Sequence, residues 1–351
     1  MSVPTPRTSR RTAVAAAVAV AVAAGGTLTL TGTASADTSG SRVTTAKLTK
    51  GLYQSSYSER NDVLWVTAAV GRPPVTESHL LEVDPETLEI EADHTPPVTD
   101  TATGAVEAVY GVAVDDEHDT VWTANTRDDT VSVYSQRTGE HLATLPDVAH
   151  ARELVVDERR DTVWASGFGA GTLVAFDSRT FEEKKRVTVE GASPAGLALD
   201  ERTGALYAAD LNNDRLIELK RGSTTPRFLP AGDGPISVSL SKNGRTAYTA
   251  DQTSGTLSVI DLREGTVTES VATGTGALSV ATDERSGDVV VVNRTAATVT
   301  VVDPREGVVE ETVATGANPN HVEIADGTAY VTDKSGATRT EDTLTRIRLA
   351  R

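Results

Sequence analysis

Cysteine is absent from all 351 residues, which excludes disulfides, a thiolate nucleophile and a lipid-anchored N-terminal cysteine. Basic residues are also scarce, 33 against 50 acidic ones, for a net charge of −17. An acidic surface repels phosphate backbones, so nucleic acid is not an expected partner. The densest basic run, Lys184-Lys185-Arg186, is flanked by Glu182 and Glu183 and reads as a solvated strand edge. The longest apolar run, Ala13–Ala24, has 12 residues, short of the ~20 that span a bilayer. No GxSxG elbow and no Walker-type phosphate loop occur. Gly167–Gly171 (GFGAG) lies between two strand-like segments rather than before a helix, and reads as a hairpin turn.

That apolar run belongs to an export signal. Arg7, Arg10 and Arg11 precede it, and Ala34-Ser35-Ala36 forms a small-residue cleavage site before Asp37. Ser9-Arg10-Arg11 is also similar to the core of a twin-arginine signal, which leaves the Sec and Tat routes both open. Residues 1–36 are therefore read as a signal peptide and 37–351 as one domain. Cleavage leaves 30 basic and 50 acidic residues, a charge of −20, on an extracellular chain expected to be monomeric and without a membrane anchor.

What the chain has is repetition. Tyr248–Asp261 (YTADQTSGTLSVID) sets two alternating strands around a polar turn, and variants begin at Trp122, Trp164, Tyr207, Val290 and Tyr330. The steps from Trp122 onward are 42, 43, 41, 42 and 40 residues. Units of ~40–45 residues with four strands each specify a β-propeller. Blade one holds segments near Tyr53–Ser58, Val63–Val70, Leu80–Asp84 and Leu88–Ala92. Blades two to seven fall at about 106–148, 149–191, 192–234, 235–275, 276–316 and 317–351. Blade seven is one strand short, and Arg42–Leu48 is a strand without a neighbour. The count closes as an all-β, seven-bladed ring if that first strand completes the last blade and covers its open edge. Asp84, Asp177, Asp261 and Asp303 share one repeat position, where Asp caps its own hairpin. Trp65, Trp122 and Trp164 occupy the position otherwise held by Tyr or Val, and are read as packing between blades.

Tyr330-Val331-Thr332-Asp333, the TVTVVD of Thr298–Asp303, Thr312–Gly316 (TVATG) and the Gly316–Pro319 lead-in together resemble the YVTN-repeat propellers. The resemblance covers about 106–334 well and blade one more loosely, and is to secreted YncE-like proteins of seven blades. It implies a ligand-binding or interaction propeller. Some members are similar to lactonases and one branch has been linked to single-stranded DNA, but no residue shared here carries either role.

Three departures from the repeat point to a working surface. Blade one enlarges a turn over 71–78, so that Trp65 to Leu80 takes 15 residues where other blades need nine. The connection His94–Gly104 is long, and blade seven enlarges Lys334–Asp342. Ring closure puts all three in one sector of one face. The same face carries the residues that lead into the inner strands: Glu107, Tyr110, His150, Arg152, Glu153, Ser193, Asp233, Ser237, Asn318, Asn320 and His321. These form a candidate funnel for a small molecule, a peptide or a cell-envelope component. No cofactor is required by this reading. The alternative is a metal-assisted lactonase or lyase, with Ca²⁺ or Mg²⁺ held by His150, Glu153, Asn320 and His321. Against it, no close ligand spacing such as HxH or HxxxH occurs. His79, His94, His118 and His141 are expected on the solvated surface.

Overall fold

Seven four-stranded antiparallel sheets stand in a ring in the computed structural model, which describes residues 42–334 and 341–350. The expected signal segment, 1–36, and most of the enlarged blade-seven turn lie outside the described residues. The innermost strands are Leu52–Ser58, Gly111–Asp115, Ala151–Asp157, Pro194–Asp200, Pro235–Leu240, Ala277–Thr282 and Pro319–Ala325. Each touches the next, and the last touches the first, so the ring is closed. Among the described residues no helix is long and apolar enough to cross a membrane.

Closure uses the first strand, as the sequence implies. Val43–Lys47 pairs antiparallel with Thr343–Arg348, Val43 opposite Ile347 and Lys47 opposite Thr343. Arg42 secures the start of this latch through Glu311 and the Arg348 carbonyl, and the Leu48 N–H donates to the Asp342 carbonyl at its end. Arg346, 4% exposed, reaches from blade seven to the Pro85 and Glu86 carbonyls of blade one. The apolar seam beneath joins Leu64, Val66 and Leu81 of blade one to Tyr330 and Leu344 of blade seven.

The two-residue period of each strand sends one set of side chains into the interface with the next blade. Trp122, fully buried, packs against Phe176 and Phe181 of blade three. The hairpin-capping Asp residues act as expected: Asp84, Asp177 and Asp261 each accept two backbone N–H groups of their own turn, and Asp303 accepts that of Arg305. The last strand of blade one begins later than the sequence suggests, at Ile90, because Leu88 is buried in a turn with φ of 62°.

The second strand of most blades ends on a buried Asn or Asp: Asn125, Asp210, Asp251, Asn293 and Asp333. Asp251 accepts hydrogen bonds from Thr249, Thr256 and Ser258, fixing the turn that follows. The lead-in to the innermost strand is pressed against this carboxylate, and a Cβ on Gly232 or Gly316 would collide with Asp251 or Asp333. The residue after the Asn or Asp is then tied back. The N–H groups of Leu211, Gln252, Arg294 and Lys334 donate to the carbonyls of Ser193, Gly234, Gly276 and Asn318, each the residue just before an innermost strand. Those side chains therefore stand over the upper mouth of the axial channel.

Candidate functional site: the axial channel

The ring encloses a cavity of about 560 Å³ that runs from the upper turns (Leu211, Gln252, Arg294) to Glu284 below. A second, of about 230 Å³, follows blades one to three toward Glu158 and Glu201 of the lower turns. Glu153, His321 and Glu323 line both. The larger volume lies in the range of small-molecule sites.

A recurrent irregularity aims side chains into this space. Six of the seven innermost strands lose register near their start, blade two being regular. An unpaired extra residue kinks the strand and redirects side chains. In blades one, three and seven the irregular segment carries Tyr53-Gln54, Arg152-Glu153 and Asn320. In blades four, five and six it carries Ala195-Gly196, Ile236 and Leu278. One wall of the channel is thus polar and the other mixed, Ile236 and Leu278 standing among Ser237, Ser239, Ser279 and Thr282, while Leu197, Val238 and Val280 pack mainly into the cores between blades.

The polar wall is held together across blades. Gln54 Nε2 donates to Glu153 Oε2 at 2.9 Å. The Ser55 N–H donates to His321 Nδ1 at 3.3 Å, and the Tyr57 N–H to Glu323 Oε1 at 3.3 Å. Asn320 donates to the Tyr53 carbonyl at 2.8 Å and accepts from the Arg294 guanidinium at 2.7 Å. Enclosure by the ring pushes the carboxyls of Glu153 and Glu323 up to about 7, and Glu153 adds to the rise at Glu323. Burial pulls His321 down to about 4, so its imidazole is neutral near pH 7. Because Nδ1 accepts a hydrogen bond, the ring proton resides on Nε2, and His321 is a donor there rather than a base.

The residues expected from the sequence separate into groups. Arg152, Glu153, Ser237, Asn320 and His321 line the larger cavity. Tyr110 and His150 sit at the rim, Tyr110 edge-on to Tyr53 at 4.8 Å and His150 against Phe168 at 5.5 Å. Burial, with Arg152 and Arg127 nearby, lowers the His150 pKa. Asp233 is exposed and Asn318 is half-buried with φ of 62°; their carbonyls tie down neighbouring turns. Glu107 lies away from the channel, 3% exposed, accepting from Asn125, Ser132 and Thr144 over the edge of blade two. As possible metal ligands, His150, Glu153 and His321 are not brought within 4.8 Å of one another. Asp288, Asp303 and Glu310 do meet that separation among the described residues, on the outer part of blade six.

The enlarged blade-one turn and the connection after it converge, and the described ends of the blade-seven turn, Lys334 and Asp342, meet the same sector. The Val106 N–H donates to the Val75 carbonyl, the Glu107 N–H to the Pro97 carbonyl, and Val75 is buried with Ala69, Ala108 and Tyr110. Lys334, where the blade-seven turn begins, lies over the Tyr53 and Tyr110 rings at 4.5 and 5.4 Å. At its other end Asp342 accepts the Gly51 and Leu52 N–H groups.

Sequence reasoning missed Gln54, Glu323, Arg294 and Lys334. Glu323 follows His321 by two and so shares its face of the strand, while Arg294 and Lys334 each follow the repeat's Asn or Asp. The four histidines expected on the solvated surface are half-buried, each with a partner: His79 with Asp93, His94 with Glu82 and the Trp65 ring, His118 with Asp115 and Asp161, His141 with Thr144.

No family model matches the chain, and no curated protein matches it by sequence. Solved structures share its shape. A streptogramin B lyase superposes with a TM-score of 0.68 at 11% identity, over 87% of this chain and 98% of the other. A catalytically inactive variant of virginiamycin B lyase from Staphylococcus aureus, solved with quinupristin, gives 0.70 at 11% identity, over 88% and 100%. The likeness is one of fold: the chain is a seven-bladed β-propeller.

Proposed function

We propose that this chain is an exported binding propeller of the YVTN-repeat type, with its ligand seated in the axial channel and entering from the face that carries the enlarged loops. The observation that carries this reading is the two-sided channel. Gln54, Glu153, Asn320 and His321 offer donors and acceptors on one wall, and Ile236 and Leu278 offer apolar surface among the hydroxyls of Ser237, Ser239 and Ser279 on the other. A small molecule or short peptide with one polar and one apolar edge matches such walls better than a flat partner does. The packed blade-one turn and the connection that follows blade one supply a rim that the other blades lack.

A direct test uses Ile236→Trp, which fills the apolar side. Compounds that raise the melting temperature of the wild type but not of this variant support the channel as the site. Compounds that stabilise both equally contradict it. Recovery of the chain from culture medium with Asp37 as its first residue supports export, and retention of residues 1–36 in cells opposes it.

A second reading, a lyase or lactone hydrolase at the same place, is favoured by two carboxyls titrating near 7, where one acts as acid while the other acts as base. The similarity in shape to two lyases supports this reading. Consumption of quinupristin by the wild type and not by Glu323→Gln supports it. An unchanged compound after prolonged incubation opposes it.

A further inference from the structure

Besides its polar and mixed walls, the channel has ends that differ in charge. Glu158, Glu201 and Glu284 line it at the lower turns, whereas Arg152 and Arg294 line it at the upper mouth. Arg294 is bonded to Asn320 Oδ1, and Asn320 to the Tyr53 carbonyl. The Tyr53 ring in turn carries the Lys334 ammonium on its face. Tyr110 continues the chain of contacts, with Lys334 over its ring and Arg127 close to its hydroxyl. Arg152 lies 5.6 Å over the Phe168 ring on the same rim.

In a chain of net charge −17, most arginines hold a carboxylate, as Arg160, Arg186, Arg215, Arg227 and Arg346 do. Among the described residues Arg127, Arg152, Arg294 and Lys334 hold none within ion-pair distance. Their positions are fixed by neutral groups, an amide oxygen and aromatic faces, which orient a cation without neutralising it. Crowding of like charge is visible at Lys334. Burial, with Arg294 and Arg127 nearby, pulls its pKa down to about 8 against the opposing pull of Asp342, whose carboxylate is engaged with the Gly51 and Leu52 N–H groups.

We infer that the upper mouth is an oxyanion site, taking a carboxylate or phosphate headgroup of a small molecule whose body lies in the channel. The inference rests on the channel-binding reading above and names the class of its ligand. Guanidinium groups suit planar, paired acceptors, and Lys334 adds a point charge. At the lower end Glu201 and Glu284 are paired with Arg159 and Lys242, so the uncompensated charge of the channel lies at the upper mouth.

The test is calorimetric titration of the full chain with citrate, inorganic phosphate and glucose at matched ionic strength. Citrate and phosphate bind and glucose does not. Arg294→Gln and Lys334→Met each weaken citrate binding by about tenfold or more, while Arg221→Gln, an exposed cation elsewhere, leaves it unchanged. Absence of anion binding at millimolar concentration overturns the inference, as does citrate affinity that is equal in wild type, Arg294→Gln and Lys334→Met. Citrate binding that is blocked by Ile236→Trp, yet is as tight in the Arg294→Gln/Lys334→Met double variant as in wild type, overturns the anion site and leaves the channel reading standing. Citrate binding untouched by Ile236→Trp but lost in Arg294→Gln supports the anion site and counts against the deeper channel. Circular dichroism of each variant confirms that its fold is retained.

Discussion

The Gln54 side chain of blade one donates to Glu153 of blade three at 2.9 Å, and its Oε1 accepts the Val112 N–H of blade two at 3.2 Å. One amide thus straps three innermost strands together on the channel wall. It also supplies the Glu153 carboxyl with a donor in an enclosed setting, opposing the upward shift that burial causes. Gln54→Ala leaves the Val112 N–H and one Glu153 oxygen without these partners. The expected cost is about 2–3 kcal/mol of stability, together with a further rise in the Glu153 pKa. Chemical denaturation measures the first and carboxyl titration by NMR the second.

Glu153 and Glu323 have folded pKa values near 7, above the ordinary glutamate value of 4.5. Between these limits the native state binds more protons than the unfolded chain, so stability falls as pH rises from about 4.5 to 7 and then levels. Glu323→Gln removes its share of that decline. At pH 8 the variant is expected to be more stable than wild type by roughly 1–3 kcal/mol, allowing for screening at the channel. Melting curves from pH 4 to 8 check the sign.

His321 works the other way. Its folded pKa is about 4 against an ordinary 6.5, so its contribution is present above 6.5 and is lost as pH falls toward 4. His321→Asn flattens that acid-side loss and leaves stability at pH 8 nearly unchanged. A steeper acid loss in the variant contradicts the buried, neutral imidazole.

The N-terminal latch covers the edge of Thr343–Arg348. Removal of residues 1–48 bares that strand and deletes the Arg42–Glu311 ion pair and the buried Leu48. The truncated chain is expected to melt more than ~10 °C lower and to self-associate through the exposed edge. Sedimentation and a thermal scan test both.

Gly316 and Gly232 sit where a side chain would meet the carboxylate closing the second strand of the blade. Gly316→Ala is expected to cost about 2 kcal/mol or more, because the carboxylate must leave a packed turn. Gly222→Ala, with open space around it and φ of 76°, is expected to cost only the backbone strain of about 1 kcal/mol. Paired denaturation curves compare them.

Much of this fold was written in spacing. The steps of 40–43 residues gave the blades, and Arg42–Leu48 stood out as a strand without a neighbour, which the pairing of Val43 with Ile347 resolves. The capping Asp residues and the crowding of the enlarged loops were legible for the same reason, since a repeat exposes its own exceptions. The channel wall was only half legible. Arg152, Glu153, Asn320 and His321 were found by position, but Glu107 leads into blade two and then turns outward to Ser132 and Thr144. Register shifts in the innermost strands decide which neighbour faces the axis, and a period of two cannot show where an extra residue falls. Gln54 and Glu323 were missed on that account. Arg294 and Lys334 were missed because the tether from their N–H groups to Gly276 and Asn318 exists only in three dimensions.

The most direct test is a crystallographic fragment screen of the chain with small polar and amphipathic compounds. Bound fragments are expected to concentrate in the channel between Ile236 and Glu153, close to His321. Fragments confined to the outer strands or the lower turns, with the channel bare across the whole library, would contradict the channel as the binding site.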